Sequence, residues 1–338
     1  MNSRAVLVTG GAGYVGAHTC KALSRAGYHP VVIDNLSTGH ARFVRWGPFI
    51  EADLDDADAI FAALSEHRLE AVLHFAASAY VGESVTDPQK YYENNVGGSL
   101  ALLRAMLRAG CQKIIFSSSC AIYGEPDRVP IREDAAKNPV YPYGASKLMV
   151  ERILDDYAKA YDLNFIALRY FNAAGADPDG ELGELRDPET HLIPRVMMAL
   201  QGHLSDVRVF GDDYPTPDGT AIRDYVHVAD LADAHVASVE RLFQGGPSGA
   251  FNLGTGDGYS VRQVLDAVGA ESGESVAMGV GSRRDGDPPS LIADPARART
   301  ELGFQPTRSN LTTIIATAWA WHCQAHPKLT EGRLAANA

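Results

Sequence analysis

Short apolar runs alternate with longer amphipathic stretches through the first half of the chain: Ala5–Thr9, Pro30–Asp34, Gly47–Glu51, Ala71–Ala77 and Lys113–Ser119. Runs of this length separated by helical patterns predict parallel strands with helices on both faces, because both faces of such strands are buried. The intervening helices are read at Ala17–Arg25, closed by Gly27, and in the stretch that runs to Glu66. A longer one opens at Asp87-Pro88, an N-cap acceptor followed by proline at the first helical position, and runs to about Arg108. A further helix begins near Val140, and Leu163–Arg169 reads as a sixth strand. From Phe171 the periodicity stops, and an Asp/Gly/Glu/Pro-rich segment extends to about Thr190. Segments this long without regular structure are usually functional or mobile. A closing helix is read at Asn310–His322, with Trp319 and Trp321 as packing or surface anchors.

The 338 residues, 46% of them hydrophobic, can bury the core of one large domain or two lobes. A net charge of -12 with no basic block argues against nucleic acid as a partner, while leaving room for a local site that holds a small anion. Cys20, Cys111, Cys120 and Cys323 show neither paired nor metal-ligand spacing, so no disulfide and no metal is expected and a cytoplasmic enzyme is the simplest fit. Nowhere do eighteen apolar residues run together, and no cleavable leader pattern opens the chain, so neither a membrane partner nor secretion is expected.

The chemistry begins where the first strand ends, in Gly10-Gly-Ala-Gly13-Tyr-Val-Gly16. Strand, glycine turn and helix in succession suit a pyrophosphate approached closely by backbone and faced by a helix N-terminus. The second strand ends at Asp34, about twenty residues beyond the glycines, where an acid binds a ribose 2'-hydroxyl and favours NAD over NADP. Together these features predict a Rossmann-type doubly wound parallel sheet over residues 1–170. A smaller α/β substrate lobe is expected over 171–338, with some later segments returning to the first domain. Asp53, after the third strand, stands where adenine contacts fall, although it could equally cap the helix behind it. His74 reads as a packed strand residue, and Asn94 and Asn95 are unfavourable inside a helix unless their amides are used. In Val140-Tyr-Pro-Tyr143-Gly-Ala-Ser-Lys147, a tyrosine and a lysine fall one helical turn apart on one face. A phenol acts as a base at neutral pH only when positive charge stabilises the phenolate, and Lys147 is spaced for that. Ser119, at the carboxyl end of the fifth strand, is a candidate substrate contact.

Taken as a set, Gly10, Gly13, Gly16, Ser119, Tyr143 and Lys147 resemble the extended short-chain dehydrogenase/reductases. His74-Phe-Ala-Ala, Tyr80-Val-Gly-Glu-Ser, Tyr91-Tyr-x-Asn94-Asn95-Val, Tyr170-Phe-Asn172 and Arg223-Asp-Tyr-Val-His-Val resemble the UDP-glucose 4-epimerase branch of that family. The resemblance implies NAD as cofactor, a UDP-sugar as substrate, and a homodimer built on the helix after Asp87 and the helix of Tyr143. It implies that Tyr143 is the base, that Lys147 holds the nicotinamide ribose and lowers the phenol pKa, and that Ser119 bonds the sugar hydroxyl. It further implies a cofactor set of Gly10, Gly13, Tyr14, Val15, Gly16, Asp34, Asn35, Leu36, Ser37, Thr38, Asp53, Leu54, Phe75, Ala76, Ala77, Asn94, Ser117, Tyr143, Lys147, Tyr170 and Phe171. For the substrate it implies Ser119, Tyr143, Asn172, His191, Leu192, Val209, Phe210, Arg223, Arg284, Asp287 and Leu291, with the two arginines on the diphosphate.

Several positions depart from the pattern of relatives. Cys120 and Ala121 stand where related dehydratases carry an acid pair, which disfavours dehydration and decarboxylation. Ala79 stands where many members have a lysine near the cofactor phosphates, and His191 where many have asparagine. Leu291 is intermediate between residues that exclude and residues that admit N-acetylated sugars. The expected activity is reversible C4 inversion of UDP-galactose and UDP-glucose. UDP-pentose or UDP-GlcNAc 4-epimerisation, a dehydrogenase that releases its ketone, and a non-catalytic NAD-binding protein are the alternatives.

Overall fold

The computed structural model describes residues 4–205, 207–284 and 286–328, so the extreme ends of the two expected halves lie outside the described residues. Seven parallel strands form the central sheet, in the spatial order Gly249–Leu253, Asn164–Tyr170, Lys113–Ser119, Ala71–His74, Ala5–Thr9, His29–Asp34 and Phe49–Glu51. The first half supplies β1 (Ala5–Thr9), α1 (Tyr14–Arg25), β2 (His29–Asp34), β3 (Phe49–Glu51), α2 (Ala57–Glu66) and β4 (Ala71–His74). There follow α3 (Val81–Thr86), α4 (Pro88–Tyr91), a π-helical turn over Tyr92–Gly97, α5 (Gly98–Ala109), β5 (Lys113–Ser119), α6 (Pro142–Tyr161) and β6 (Asn164–Tyr170). Alternate strand residues feed two cores. Leu7, Val31 and Ile33 pack with Ile60, Leu102, Met106 and Leu154 on one face, while Val6, Val8 and Val32 pack with Leu23, Leu231 and Leu242 on the other. The unbroken apolar runs of the sequence are therefore the signature of a sheet covered on both sides.

Beyond β6 the chain forms β7 (Asn172–Ala174), α7 (Leu192–Leu200), β8 (Arg208–Phe210), β9 (Ile222–Arg223), β10 (Tyr225–His227) and α8 (Val228–Phe243). It then returns to the central sheet, where β11 (Gly249–Leu253) pairs parallel with β6. Next come β12 (Tyr259–Ser260), α9 (Val261–Ser272), β13 (Gly279–Gly281), β14 (Ser290–Leu291), α10 (Ala296–Glu301) and α11 (Leu311–Ala325). A third core, with Ile193, Val196, Met197, Val264, Leu265, Val268, Ile314 and Ile315, joins α7, α9 and α11 beside the sheet.

Several element boundaries differ from the sequence expectation. The first helix starts at Tyr14, so part of the glycine stretch is already its first turn, and the fourth strand stops at His74, leaving Phe75–Ala77 as loop. The third strand is shorter than Gly47–Glu51, and the sixth lies one residue further along than Leu163–Arg169. The segment from Phe171 holds the short strand β7, which pairs with β10. α3 precedes the expected Asp87–Arg108 helix, which is itself interrupted by the π-helical turn where the Asn94 and Asn95 side chains bond to Ser78.

One buried ion pair ties α6 to the sheet. Arg169 donates from Nε and Nη2 to the two oxygens of Glu151, at 2.9 and 2.6 Å, and both side chains are more than nine-tenths buried. Glu151 also accepts the Ser118 hydroxyl at 2.6 Å, and Arg169 donates to the Tyr123 hydroxyl at 2.9 Å. Burial opposes the charge on Arg169, but the Glu151 carboxylate outweighs it and raises the guanidinium pKa. Removing one partner of such a pair leaves an uncompensated charge in the interior. Glu151→Ala is therefore expected to lower unfolding free energy by about 3–5 kcal/mol in urea denaturation; a loss below about 1 kcal/mol, the worth of a surface pair, would contradict this account.

Candidate active site

The glycine turn can take no side chains where it matters most. Gly10 has φ +73°, and a Cβ there would lie 2.5 Å from the Ala76 nitrogen, while a Cβ on Gly16 would lie 2.2 Å from the Gly10 carbonyl oxygen. The loop after β4 thus packs directly on the turn, and the N-terminus of α1 opens from it with neither a side-chain cap nor an acidic residue in its first turn. Unsatisfied N–H groups and the positive end of a helix make this a cradle for an anion. Asp34 sits beside it, accepting the amides of Ala12 at 3.0 Å and Leu36 at 2.9 Å, and burial raises its pKa. Asn35 donates to Asp53 at 2.6 Å and its own oxygen accepts the Ser37 amide, which draws the 34–38 loop and Asp53 together. Asp53 does not cap α2; Asp56 does, through the amide of Ala59. Leu54 is buried in the core, so only its main chain can face a ligand.

Tyr143 and Lys147 lie in the first turns of α6, against the carboxyl ends of β5 and β6. Ser119 hydrogen-bonds Tyr143 and accepts the Ala121 amide, while Lys147 Nζ donates to the Ser117 carbonyl at 2.8 Å and lies 5.9 Å from the Tyr143 ring centre. Burial pushes the Tyr143 phenol above its ordinary pKa; the Ser119 bond and the more distant Arg186 charge pull the other way and do not overcome it. Burial likewise brings Lys147 down to about 7. The Ser117 and Tyr170 hydroxyls meet in a very short hydrogen bond beside them. Phe171 is buried against Cys120, Ile122 and Tyr123, beneath the same edge.

The π-helical turn holds this edge from the opposite side. Asn95 accepts the Ser78 amide at 2.8 Å and donates to the Ser78 carbonyl and the Ser146 hydroxyl, each at 3.0 Å, coupling the loop after β4 to α6. Asn94 donates to the Ser78 hydroxyl at 3.1 Å. Tyr91 stands edge-on to Tyr143, 6.5 Å between ring centres, and donates to the Tyr80 carbonyl. His74, between Thr9 at 2.8 Å and Ser99 at 2.9 Å, is held neutral by burial, with its pKa near 3, and is the packed strand residue its setting suggested.

In the second half of the chain, Arg223 pairs with Asp287 at 2.5 Å, and the Arg284 guanidinium lies 4.1 Å above the Phe210 ring. Leu291 is aligned with Arg223 through the β9–β14 pairing, and Val209 lies in β8 against β13. Asn172 opens β7 at the end of β6, and its amide donates to the Asp224 carbonyl at 2.9 Å. His191 Nδ1 lies 2.7 Å from Glu184, and Leu192 starts α7. Burial works against the charge on Glu184, but His191 and Arg186 outweigh it and hold that carboxyl below its ordinary pKa, whereas burial and the Glu184 charge raise that of Glu189. The sequence marked the segment from Phe171 to about Thr190 only as a long irregular stretch, and no spacing within it singled out Glu184, Arg186 and Glu189; the fold turns them inward.

The family described as "NAD dependent epimerase/dehydratase family" matches residues 6–254. A UDP-glucose 4-epimerase of Rhizobium meliloti is 48% identical over 95% of this chain and 98% of its own length. Among solved structures, UDP-glucose 4-epimerase from Brucella ovis in complex with NAD superposes with a TM-score of 0.92 at 57% identity, covering 94% of this chain and 98% of that one. A UDP-glucose-4-epimerase from Stenotrophomonas maltophila, with bound NAD and formylated UDP-arabinopyranose, gives 0.92 at 41% identity over 96% and 99%. With the glycine turn, the acid after β2 and the Ser-Tyr-Lys edge all in place, the chain belongs to the NAD dependent epimerase/dehydratase family.

Proposed function

We propose that this protein interconverts UDP-galactose and UDP-glucose by inverting C4 with a retained NAD. The observation that carries the reading is the meeting of Ser119, Tyr143 and Lys147 at the carboxyl edge of the sheet, with Cys120 and Ala121 directly after the serine. The side-chain-free cradle at Gly10 and Gly16, Asp34 behind it and Lys147 beside Ser117 fit a dinucleotide. When bound, NAD supplies a hydride acceptor that gives the hydride back, so it ends unchanged.

In this reading the protein's own groups move the proton and hold the sugar. Ser119 hydrogen-bonds the C4 oxygen and Tyr143, so the phenol and the reacting hydroxyl share one partner. Tyr143 takes the C4 proton as C4 is oxidised and returns it when the other face is reduced. Burial in the protein keeps the Tyr143 phenol protonated, and positive charge beside the ring, from Lys147 and from a bound nicotinamide, would make the phenolate accessible. Lys147 also holds the nicotinamide ribose. Arg223 and Arg284 bind the diphosphate, with Asp287 orienting Arg223, while Asn172, His191, Leu192, Val209, Phe210 and Leu291 enclose the nucleotide and sugar. The hexose turns over between half-reactions while UDP stays anchored. With neither an acid at Cys120 nor one at Ala121, no group is placed there to expel water from C5 and C6.

The relative with a UDP-arabinopyranose derivative bound favours a second reading, pentose 4-epimerisation on the same catalytic set. Turnover on UDP-galactose against UDP-xylose separates the two.

We further propose two lobes, one for the dinucleotide and one for the UDP-sugar, and a homodimer. Val85 and Met149 are about half exposed on α3 and α6, neighbouring helices, with Tyr92 exposed on the π-helical turn. Such an apolar face suits a partner copy. The cysteines are free thiols, three of them buried, which supports a cytoplasmic location. Among the described residues no helix is long and apolar enough to cross a membrane.

Purified protein given UDP-galactose and no added NAD is expected to form UDP-glucose without net NADH, and Tyr143→Phe to slow this by about a hundredfold to ten-thousandfold while keeping its NAD. Wild-type rates in the Phe variant would remove Tyr143 from the mechanism. Light scattering after size exclusion is expected to give twice the 36.3 kDa chain mass, and a single-chain mass would remove the dimer.

A further inference from the structure

Residues 175–191 form a strap fastened repeatedly to elements around the glycine turn. The Tyr14 hydroxyl donates to the Gly175 carbonyl at 2.5 Å. Lys21 of α1, its side chain 5% exposed, is held by Asp177, Asp179 and Glu181 at 2.5, 2.8 and 2.7 Å, and Glu181 also pairs with Arg45. His40 Nε2 lies 3.1 Å from the Leu185 carbonyl oxygen, and Trp321 donates to the Glu184 carbonyl at 3.0 Å. A buried lysine shared by one buried, one part-buried and one exposed carboxylate ties the strap firmly to α1.

The strap delivers one cation, Arg186. Its side chain is 20% exposed, Nε donates to Glu184 at 2.8 Å, and the guanidinium lies 5.6 Å from the Tyr80 ring centre. Among the described residues, its two Nη atoms have no partner in the protein, and the Tyr80 hydroxyl is buried with none either. The Arg186 charge reaches Tyr14, at the start of α1, and also Tyr143 and Tyr170, at the carboxyl edge. The arginine stands over Tyr80, at the end of the loop that follows β4 and itself packs on the glycine turn.

We propose that Arg186 binds the pyrophosphate bridge of the dinucleotide, carried into the cleft by the 175–191 strap. The inference rests on the NAD reading above. Among the residues assigned to the dinucleotide from sequence, Lys147 is the one cation, and it stands beside Ser117 and Tyr143, where the reading above gives it the nicotinamide ribose. The doubly charged pyrophosphate would otherwise face backbone N–H groups alone. Arg186 offers the end of its planar fork, the geometry that takes two phosphate oxygens at once, while Glu184 fixes its orientation through Nε. The diphosphate of the nucleotide sugar has the same chemistry, so the test must separate the two ligands.

The experiment compares wild-type holoenzyme with Arg186→Gln and Arg186→Lys. NAD remaining per chain is followed over time after dilution and gel filtration, and UDP affinity is measured by calorimetry on each holoenzyme. Loss of a charged hydrogen-bonding partner predicts NAD release faster by roughly tenfold to a hundredfold in the Gln variant, with UDP affinity unchanged. The Lys variant, which keeps the charge but not the fork, should lie between. Unchanged NAD release with weakened UDP would assign the arginine to the nucleotide sugar and overturn the inference, as would no change in either. Should the Gln variant fail to fold, the Lys variant decides: faster release supports the fork contact, and wild-type release overturns it. Wild-type protein that carries and binds no NAD would overturn the dinucleotide reading itself, and this inference with it.

Discussion

The buried pair between Glu151 and Arg169 fixes how α6 lies across the ends of β5 and β6, and the candidate chemistry depends on that register. Tyr143, Lys147 and Glu151 recur every four residues on one face of α6, so the residue that anchors the helix and the two that face the reaction share a single rotation about its axis. Glu151 also takes the Ser118 hydroxyl, one residue before the serine that meets Tyr143, and thereby ties strand and helix at the same level. Asn95 adds a second tie through Ser146, this time from the π-helical turn. With both faces of the helix start secured, the phenol has little freedom to leave the strand edge.

The same burial that fixes these groups works against their ionisation. Tyr143 is pushed above its ordinary pKa and Lys147 down to about 7, so the polypeptide by itself favours a neutral phenol beside a partly neutral amine. On the reading proposed here, a cationic nicotinamide tips this balance. Coupling proton transfer to the presence of the hydride acceptor is chemically sensible, since a permanent phenolate in a dry pocket would be costly without it. The strap of residues 175–191 ties Lys21 and Tyr14 of α1 to a loop that sets Arg186 over the Tyr80 ring.

Local signals carried much of this architecture. Ala5–Thr9 with its glycines, and Pro30-Val-Val-Ile-Asp34, declare a strand, a turn and an acid through composition and spacing alone, because each is specified by neighbours in sequence. The pairing of Tyr143 with Lys147 was legible for the same reason. What was illegible depends on contacts between distant residues. At the π-helical turn Asn94 and Asn95 reach Ser78, sixteen or seventeen residues away, and no helical periodicity announces that. Asp53 reads as a possible N-cap of the helix behind it until the fold gives it to Asn35 and hands the cap to Asp56, which the sequence did not single out. Arg186 reads as loop surface until the strap closes on α1.

The central claim is that hydride leaves C4 and returns to the same sugar without escaping the protein. UDP-galactose carrying deuterium at C4 tests it directly, with the label in the UDP-glucose product followed by NMR and mass spectrometry in ordinary water. Full retention of deuterium at C4 of the product is the result this account requires. Label lost to solvent, or recovered in free reduced nicotinamide, would contradict it.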